Sequence, residues 1–348
     1  FLTATPHNGH TRSFTGLLEL LDPVRFSQTP ELKPAEHARV QDVLVRRLKR
    51  EINERSDPKK FADRLAPQAL VINLSAEEKA LSAAFSEFRS KVISLINTGS
   101  NKGRLAGTFA VEILGKRLLS CPLAFADSWH RCRAGMREDQ VASESEVLAA
   151  RRSVTDENAD DREAESLSRT ASSTVGAWLQ PMAENLETES SAIDAALQGL
   201  GLPADNGELS ENDPSSDSRY AALSNLIKAR LQDSGDWRDD ERLIVFTEYK
   251  TTLDYLARRL REDSADESRI LTLYGGMDTA HRKAVKQAFN DPDHPVRILV
   301  ATDAASEGLN LQKSARYLLH FDVPWNPSRL EQRNGRLDRH GQSRDVSI

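Results

Sequence analysis

Cysteine is scarce, with Cys121 and Cys132 the only two in 348 residues. That excludes a disulfide framework and makes a reducing, cytoplasmic compartment the expectation. His130 lies near Cys132, but three candidate ligands fall short of the closed set of four that a structural zinc prefers, so no metal site is expected. No run approaches the roughly 18 apolar residues of a membrane helix, so no membrane partner is expected either. Two chemical signatures are also missing. There is no G-x-x-x-x-G-K-[ST] loop to cradle phosphates with backbone amides, and no Asp-Glu-x-His box to hold magnesium. The single Gly-Lys pair, Gly115-Lys116, runs on into Arg117 within a helical pattern. The chain starts at Phe1, without an initiator methionine and in what reads as a strand, so a fragment of a longer protein is expected.

With 39% hydrophobic and 29% charged residues, the length suits about two soluble globular domains. The net charge of −6 is unevenly spread: residues 134–218 hold 19 acidic and 5 basic side chains, net −14, which leaves +8 on the remainder. Within the acidic part, GELSENDPSSDS has no apolar periodicity and reads as a solvated linker ending near Ser218.

The last 130 or so residues alternate strand and helix. LIVFTEY, RILTLYGG, RILVATD and RYLLHFD are short apolar strands separated by helical stretches, and VSI begins a further one. Such alternation gives a parallel sheet covered by helices, with ligands at the carboxyl ends of the strands. Thr247, Gly275, Thr302 and Asp303 fall there. A strand-end threonine offers a hydroxyl to a phosphate backbone without reading bases, although threonine is also simply a good strand former.

EQRNGRLDRHGQ, residues 331–342, sets Arg336 and Arg339 three apart. On a helix this spacing puts both guanidinium groups on one face, and a planar fork of permanent charge suits a transferring phosphoryl group. The alternative is a solvated arginine-rich face. Taken with FLTATPHNG (1–9), LIVFTEY (243–249) and RILVATDAASEGLNLQ (297–312), the string resembles, in order and spacing, motifs III to VI of superfamily-two helicases, specifically Swi/Snf-type ATPases of the bacterial RNA-polymerase-associated or phage-defence (DISARM) kinds. The resemblance implies a RecA-like second motor lobe in an ATP-dependent, double-stranded-DNA translocase, with ATP and Mg2+ held mainly by a first lobe upstream. It implies catalytic roles for Arg336, Arg339 and Gln332. Asp303, Glu307 and Gly308 would lie at the nucleotide, and Thr3 and Thr5 would couple hydrolysis to cleft closure. Defence-system or transcription proteins are the further partners it suggests. Glu307 and Asp338 depart from the residues common in eukaryotic remodellers, which puts nucleosome work in doubt.

Between these motifs helix dominates. Phe14, Leu17, Leu18 and Leu21 recur at helical spacing before Asp22-Pro23. VLVRRLKREI reads as a helix, and by resemblance Arg46, Arg47 and Lys49 approach nucleic acid; a solvated basic face is the alternative. SAEEKALSAAFSEFRSKVISLI starts with an N-cap serine and lines Leu81, Phe85, Phe88, Val92 and Leu95 along one face. Trp129 and Trp178 are expected in the core. The expected organisation is the end of a first RecA-like lobe over 1–75, a helical insertion over 76–218 and a second lobe over 219–348. A non-catalytic nucleic-acid-binding or partner-docking module is the alternative function.

Overall fold

The computed structural model describes residues 10–45, 47–97, 100–155, 159–205, 208–209, 212–264, 266–303, 310–324 and 326–348. Its centre is a parallel sheet of β1 (Leu243–Thr247), β2 (Ile270–Leu273), β3 (Ile298–Thr302) and β4 (Tyr317–His320), in the order β2-β3-β1-β4. LIVFT and ILVAT are buried along their whole length, as strands covered on both faces must be. Alternate residues serve different cores. Leu243 and Val245 face one apolar cluster, and Ile244 and Phe246 face the other. From β1 the chain crosses through α11 (Lys250–Ser264) to β2 and through α12 (Thr279–Asn290) to β3, then returns to place β4 on the opposite side of β1.

The sheet extends past β4. Ser347 donates its amide to Arg316 and its carbonyl accepts from Leu318, at 2.9 and 3.0 Å. On the outer side of that segment Val346 donates to Asp63, and Leu65 to Val346, both at 2.9 Å. Residues 63–65, within the stretch expected to end a first lobe, therefore run along the edge of this sheet.

Among the described residues seven α-helices carry the chain from residue 76 towards the sheet: α4 (Ala76–Ile96), α5 (Asn101–Ser120), α6 (Pro122–Gly135), α7 (Glu144–Val154), α8 (Asp161–Leu179), α9 (Ala183–Gly199) and α10 (Ser218–Leu231). Ser75 and Glu78 form the capping box that starts α4, and Glu78 also accepts from the Ser218 amide at 3.0 Å. The start of α4 and the start of α10 are thereby stapled together. Trp129 is fully buried, with the Phe88 ring edge-on at 5.0 Å, and Trp178 is also in the core. At Gly176 on α8 an added Cβ would lie 2.0 Å from the Cys132 carbonyl, so glycine is what lets α6 and α8 touch backbone to backbone. This bundle and one face of the sheet share a continuous apolar cluster, from Leu81 and Trp129 through to Val245 and Val300.

Three expectations need correction. The GELSENDPSSDS stretch is anchored in its described part: Pro214 is buried, Asp213 pairs with Arg258 and Arg259, and Asp217 caps α10 while accepting from the Tyr255 hydroxyl at 2.7 Å. Its aspartates are ligands for α11 cations and hydroxyls rather than solvated charge. VLVRRLKREI is not one helix, because α2 (Pro34–Val43) stops at an extended Leu44 and α3 (Lys49–Glu54) starts after an extended Leu48. In α1 (Thr11–Leu21) Phe14 and Leu18 are buried with Phe26, whereas Leu17 and Leu21 are exposed, so the covered stripe is narrower than the periodicity suggests.

Candidate functional site

Thr247 and Thr302 end β1 and β3 in direct register, both buried, at the carboxyl edge where ligands of such sheets bind. Neither hydroxyl is presented to solvent. Thr247 donates to Asp322 at 2.6 Å, and the same carboxylate accepts from the Glu248 amide at 2.7 Å and from Ser120 at 2.8 Å. Burial raises the Asp322 carboxyl above its usual range, against the pull of these donors and of Arg333. Thr302 donates to Asp161, in the first turn of α8, which also accepts from the Gly275 amide.

Arg333, on α13 (Pro327–Asn334), organises the middle of this edge. Its side chain is fully buried and forks onto Asp303 at 2.5 and 2.9 Å, with a third donor on the Asp322 carbonyl at 2.8 Å. The neighbouring His320 ring sits between the Asn334 amide oxygen at 2.9 Å and the guanidinium at 3.5 Å. Burial and then the Arg333 charge hold its pKa down at about 4, so the ring is neutral near pH 7.

Arg336 and Arg339 are not on a helical face. Helix α13 ends at Asn334, Gly335 is its C-cap, and the chain continues in turns from the Arg336 amide on Arg333 to the Gln342 amide on Arg339. Glycine, the poorest helix former after proline, stands at the break, and burial of Leu337 fixes the turn to the sheet. Both arginines are half-buried, Gln332 is exposed, and Arg339 donates to Asn310. The turn is braced from outside by Lys49, whose ammonium pairs with Asp338 at 2.5 Å, and from inside by Gln342 on the Ala315 carbonyl at 2.9 Å.

The remaining candidates divide. Asp303 is placed beside Thr302 but is clamped by Arg333, and Lys49 is engaged by the arginine turn, while Arg47 is exposed. Thr3, Thr5, Arg46, Glu307 and Gly308 lie outside the described residues. Among the described residues no group of three or more His, Cys, Asp and Glu could hold a metal, and both cysteines are buried and free. Sequence reasoning missed Arg333, Asp322, Ser120 and Asp161. Arg333 had a signal, since it continues the three-residue spacing of Arg336 and Arg339; the others are joined to the site only by the fold.

Residues 219–341 match the family model described as the helicase conserved C-terminal domain. Over 109 residues the chain is 38% identical to an uncharacterized ATP-dependent helicase, YqhH, of Bacillus subtilis (strain 168), covering 31% of this chain and 18% of the relative. Over 157 residues it is 33% identical to the RNA polymerase-associated protein RapA of Vibrio atlanticus (strain LGP32), covering 45% of this chain and 16% of the relative. The chain thus matches less than a fifth of the length of either. Among solved structures, the Pyrococcus furiosus Hef helicase domain aligns with a TM-score of 0.49 at 15% identity, over 92% of this chain and 63% of that one. Residues 219–341 hold all four strands and both arginines of the turn, so the part of the chain that is similar to the helicase conserved C-terminal domain is the sheet together with the arginine turn.

Proposed function

We propose that this chain supplies the second half of an ATP-driven motor that moves along double-stranded DNA, the first half being contributed by another lobe of a longer protein. The observation that supports the reading is the braced turn after α13, which carries Arg336 and Arg339 directly behind the Arg333 that forks onto Asp303 at the strand ends, inside the helicase C-terminal match. ATP, when bound by the other lobe, supplies the phosphoryl group whose transfer drives the motor. Arg336 and Arg339 reach towards that group and neutralise the charge that builds on it, an effect worth roughly 10³–10⁵ in rate for inserted arginines. Gln332, exposed one turn earlier, reports the state of the nucleotide. Asp303 keeps its place under the site through Arg333, and Glu307 and Gly308 complete the loop beside it. Among the described residues no group of three or more His, Cys, Asp and Glu could hold the Mg2+ of such a reaction, and the other lobe would hold it with the nucleotide.

At the strand ends Thr302 supplies a contact to phosphate backbone, with Arg46, Arg47 and Lys49 adding positive charge, whereas Thr247, expected to share that role, is closed onto Asp322 and holds the strand end instead. Thr3 and Thr5 couple hydrolysis to closure of the cleft. RNA polymerase is the proposed protein partner of the whole molecule, following the name of the RapA relatives. The chain alone, without a phosphate-cradling loop, turns over no ATP.

Kinetics of the longer protein test the arginine assignment. Arg336→Lys or Arg339→Lys keeps the charge and loses the planar fork, so kcat should fall about 10²-fold with nucleotide affinity little changed. Unaltered kcat in both variants would make these side chains structural.

A further inference from the structure

Asp161 lies in the acidic stretch, far along the chain from the sheet, yet its carboxylate sits at the end of β3. One of its oxygens accepts from the Thr302 hydroxyl and from the Gly275 amide in the turn after β2. Asp160 stands beside it: an added Cβ on Gly276 would meet the Asp160 carboxylate at 2.8 to 3.0 Å, and the positive φ of +81° also favours glycine there. The same Asp160 caps α8, accepting from the Arg162 and Glu163 amides at 2.9 Å. Arg162 then crosses to the Tyr274 hydroxyl at 2.8 Å, with Lys250 over the other part of that ring environment at 4.4 Å from its centroid.

A threonine hydroxyl and a glycine amide that converge on one oxygen at the carboxyl ends of parallel strands form a donor pair suited to a non-bridging phosphate oxygen. In this structure the acceptor is a carboxylate from an inserted helix, carried by a segment with a net charge of −14 over residues 134–218. We infer that the first turn of α8 is an internal stand-in for nucleic-acid phosphate: Asp160 and Asp161 occupy the β2–β3 end of the backbone-contact surface, and duplex DNA must displace them to bind there. The inference rests on the reading of Thr302 as a backbone contact.

The stand-in is built to be displaced. Burial raises the Asp161 carboxyl, and the negative charges of Asp303 and Asp160 add to that, so the hydrogen bonds from Thr302 and Gly275 do not make it a comfortable anion. Beyond the first turn α8 is held by other means, with Ala171, Val175 and Leu179 in the core and Glu165 on the buried Arg117 at 3.1 Å. Release of residues 160–162 therefore does not require the bundle to come apart.

The test is fluorescence anisotropy of the chain with a labelled blunt DNA duplex of about 25 base pairs, chosen to span a couple of helical turns, at low and moderate salt. Asp161→Asn keeps the shape and removes the charge, and its duplex affinity should rise about tenfold over the wild type, the factor that one lost competing contact allows. Adding Thr302→Val to Asp161→Asn should abolish the gain. Wild type and Asp161→Asn binding equally well would overturn the inference and leave the DNA-binding reading intact. A gain that persists with Thr302→Val would overturn it too, by reducing it to a net-charge effect. No binding by either form at low salt would bring down the DNA-binding reading itself and this inference with it. Hydrogen exchange on the wild type needs no variant to fold: duplex should speed exchange of the amides of residues 162–164, and unchanged or slower exchange would refute displacement.

Discussion

Thr247 and Thr302 close neighbouring strands in the same register, and each donates to a carboxylate, but the two carboxylates differ in origin. The acceptor of Thr247 is Asp322, just past the end of the adjacent strand, where Ser120, the Glu248 amide and Arg333 converge on the same residue. The acceptor of Thr302 is Asp161, 141 residues earlier, with the Gly275 amide as its other donor among the described residues and a crowd of like charge around it. Identical side chains in identical strand positions thus serve a closed cluster at one site and a contact between separable elements at the other. Cooperativity makes the difference, since donors that share one buried acceptor polarise and position one another, so a donor lost from the closed cluster costs more than one lost from the isolated contact.

Removing the Arg333 cation should have the largest effect. Arg333→Ala takes a buried cation from Asp303 and Asp322 and should lower stability by about 3–5 kcal/mol, the range for breaking a buried pair from one side. A urea melt that moves by much less would show that the cluster can close without it. Next comes acidification. The His320 pKa is lowered from its unfolded value to about 4, so the neutral ring contributes stability that is fully present above pH 6.5 and is lost as pH falls from there towards 4. Full charging costs at most about 3 kcal/mol at roughly 1.4 kcal/mol per pKa unit. Thermal melts between pH 7 and 4.5 should therefore show a steeper fall for the wild type than for His320→Gln, and parallel profiles would contradict the assignment. The smallest effect compares the two threonines directly. Thr247→Val should cost about 1–2 kcal/mol, because the hydroxyl leaves a buried carboxylate, and Thr302→Val less than about 1 kcal/mol. Equal losses would erase the distinction between the two strand ends.

Much of the sheet was legible in the sequence, because a fully buried parallel strand leaves an unbroken apolar run such as LIVFT or ILVAT that nothing else in a soluble domain explains so simply. The capping box at Ser75 was legible for a similar reason: its two partners are three residues apart. The arginine turn shows the limit. A spacing of three is helical only if the helix continues, and Gly335 ends it before Arg336. The acidic stretch shows another. Composition marks Asp161, Asp213 and Asp217 as solvent-seeking, but each meets donors from elements brought in by tertiary folding, and local sequence contains no trace of Thr302, Arg258 or Tyr255. The same holds for the site: residue types that suit phosphate chemistry could be picked out, whereas the carboxylates that engage them could not.

The outermost part of the sheet joins Arg64 to Val346, with Asp63 reaching Asp345, 282 positions further along the chain. On a ribosome adding about 5–20 residues per second, the earlier of these two segments waits on the order of half a minute for its partner. During that interval its backbone donors and acceptors lack this partner and are left to water or neighbouring chains. Chain-closure entropy adds to the delay, because contacts so distant in sequence form late. The edge of the sheet is therefore the last part of this architecture to be sealed during synthesis, and the place where a nascent chain is most exposed to pairing with the wrong strand.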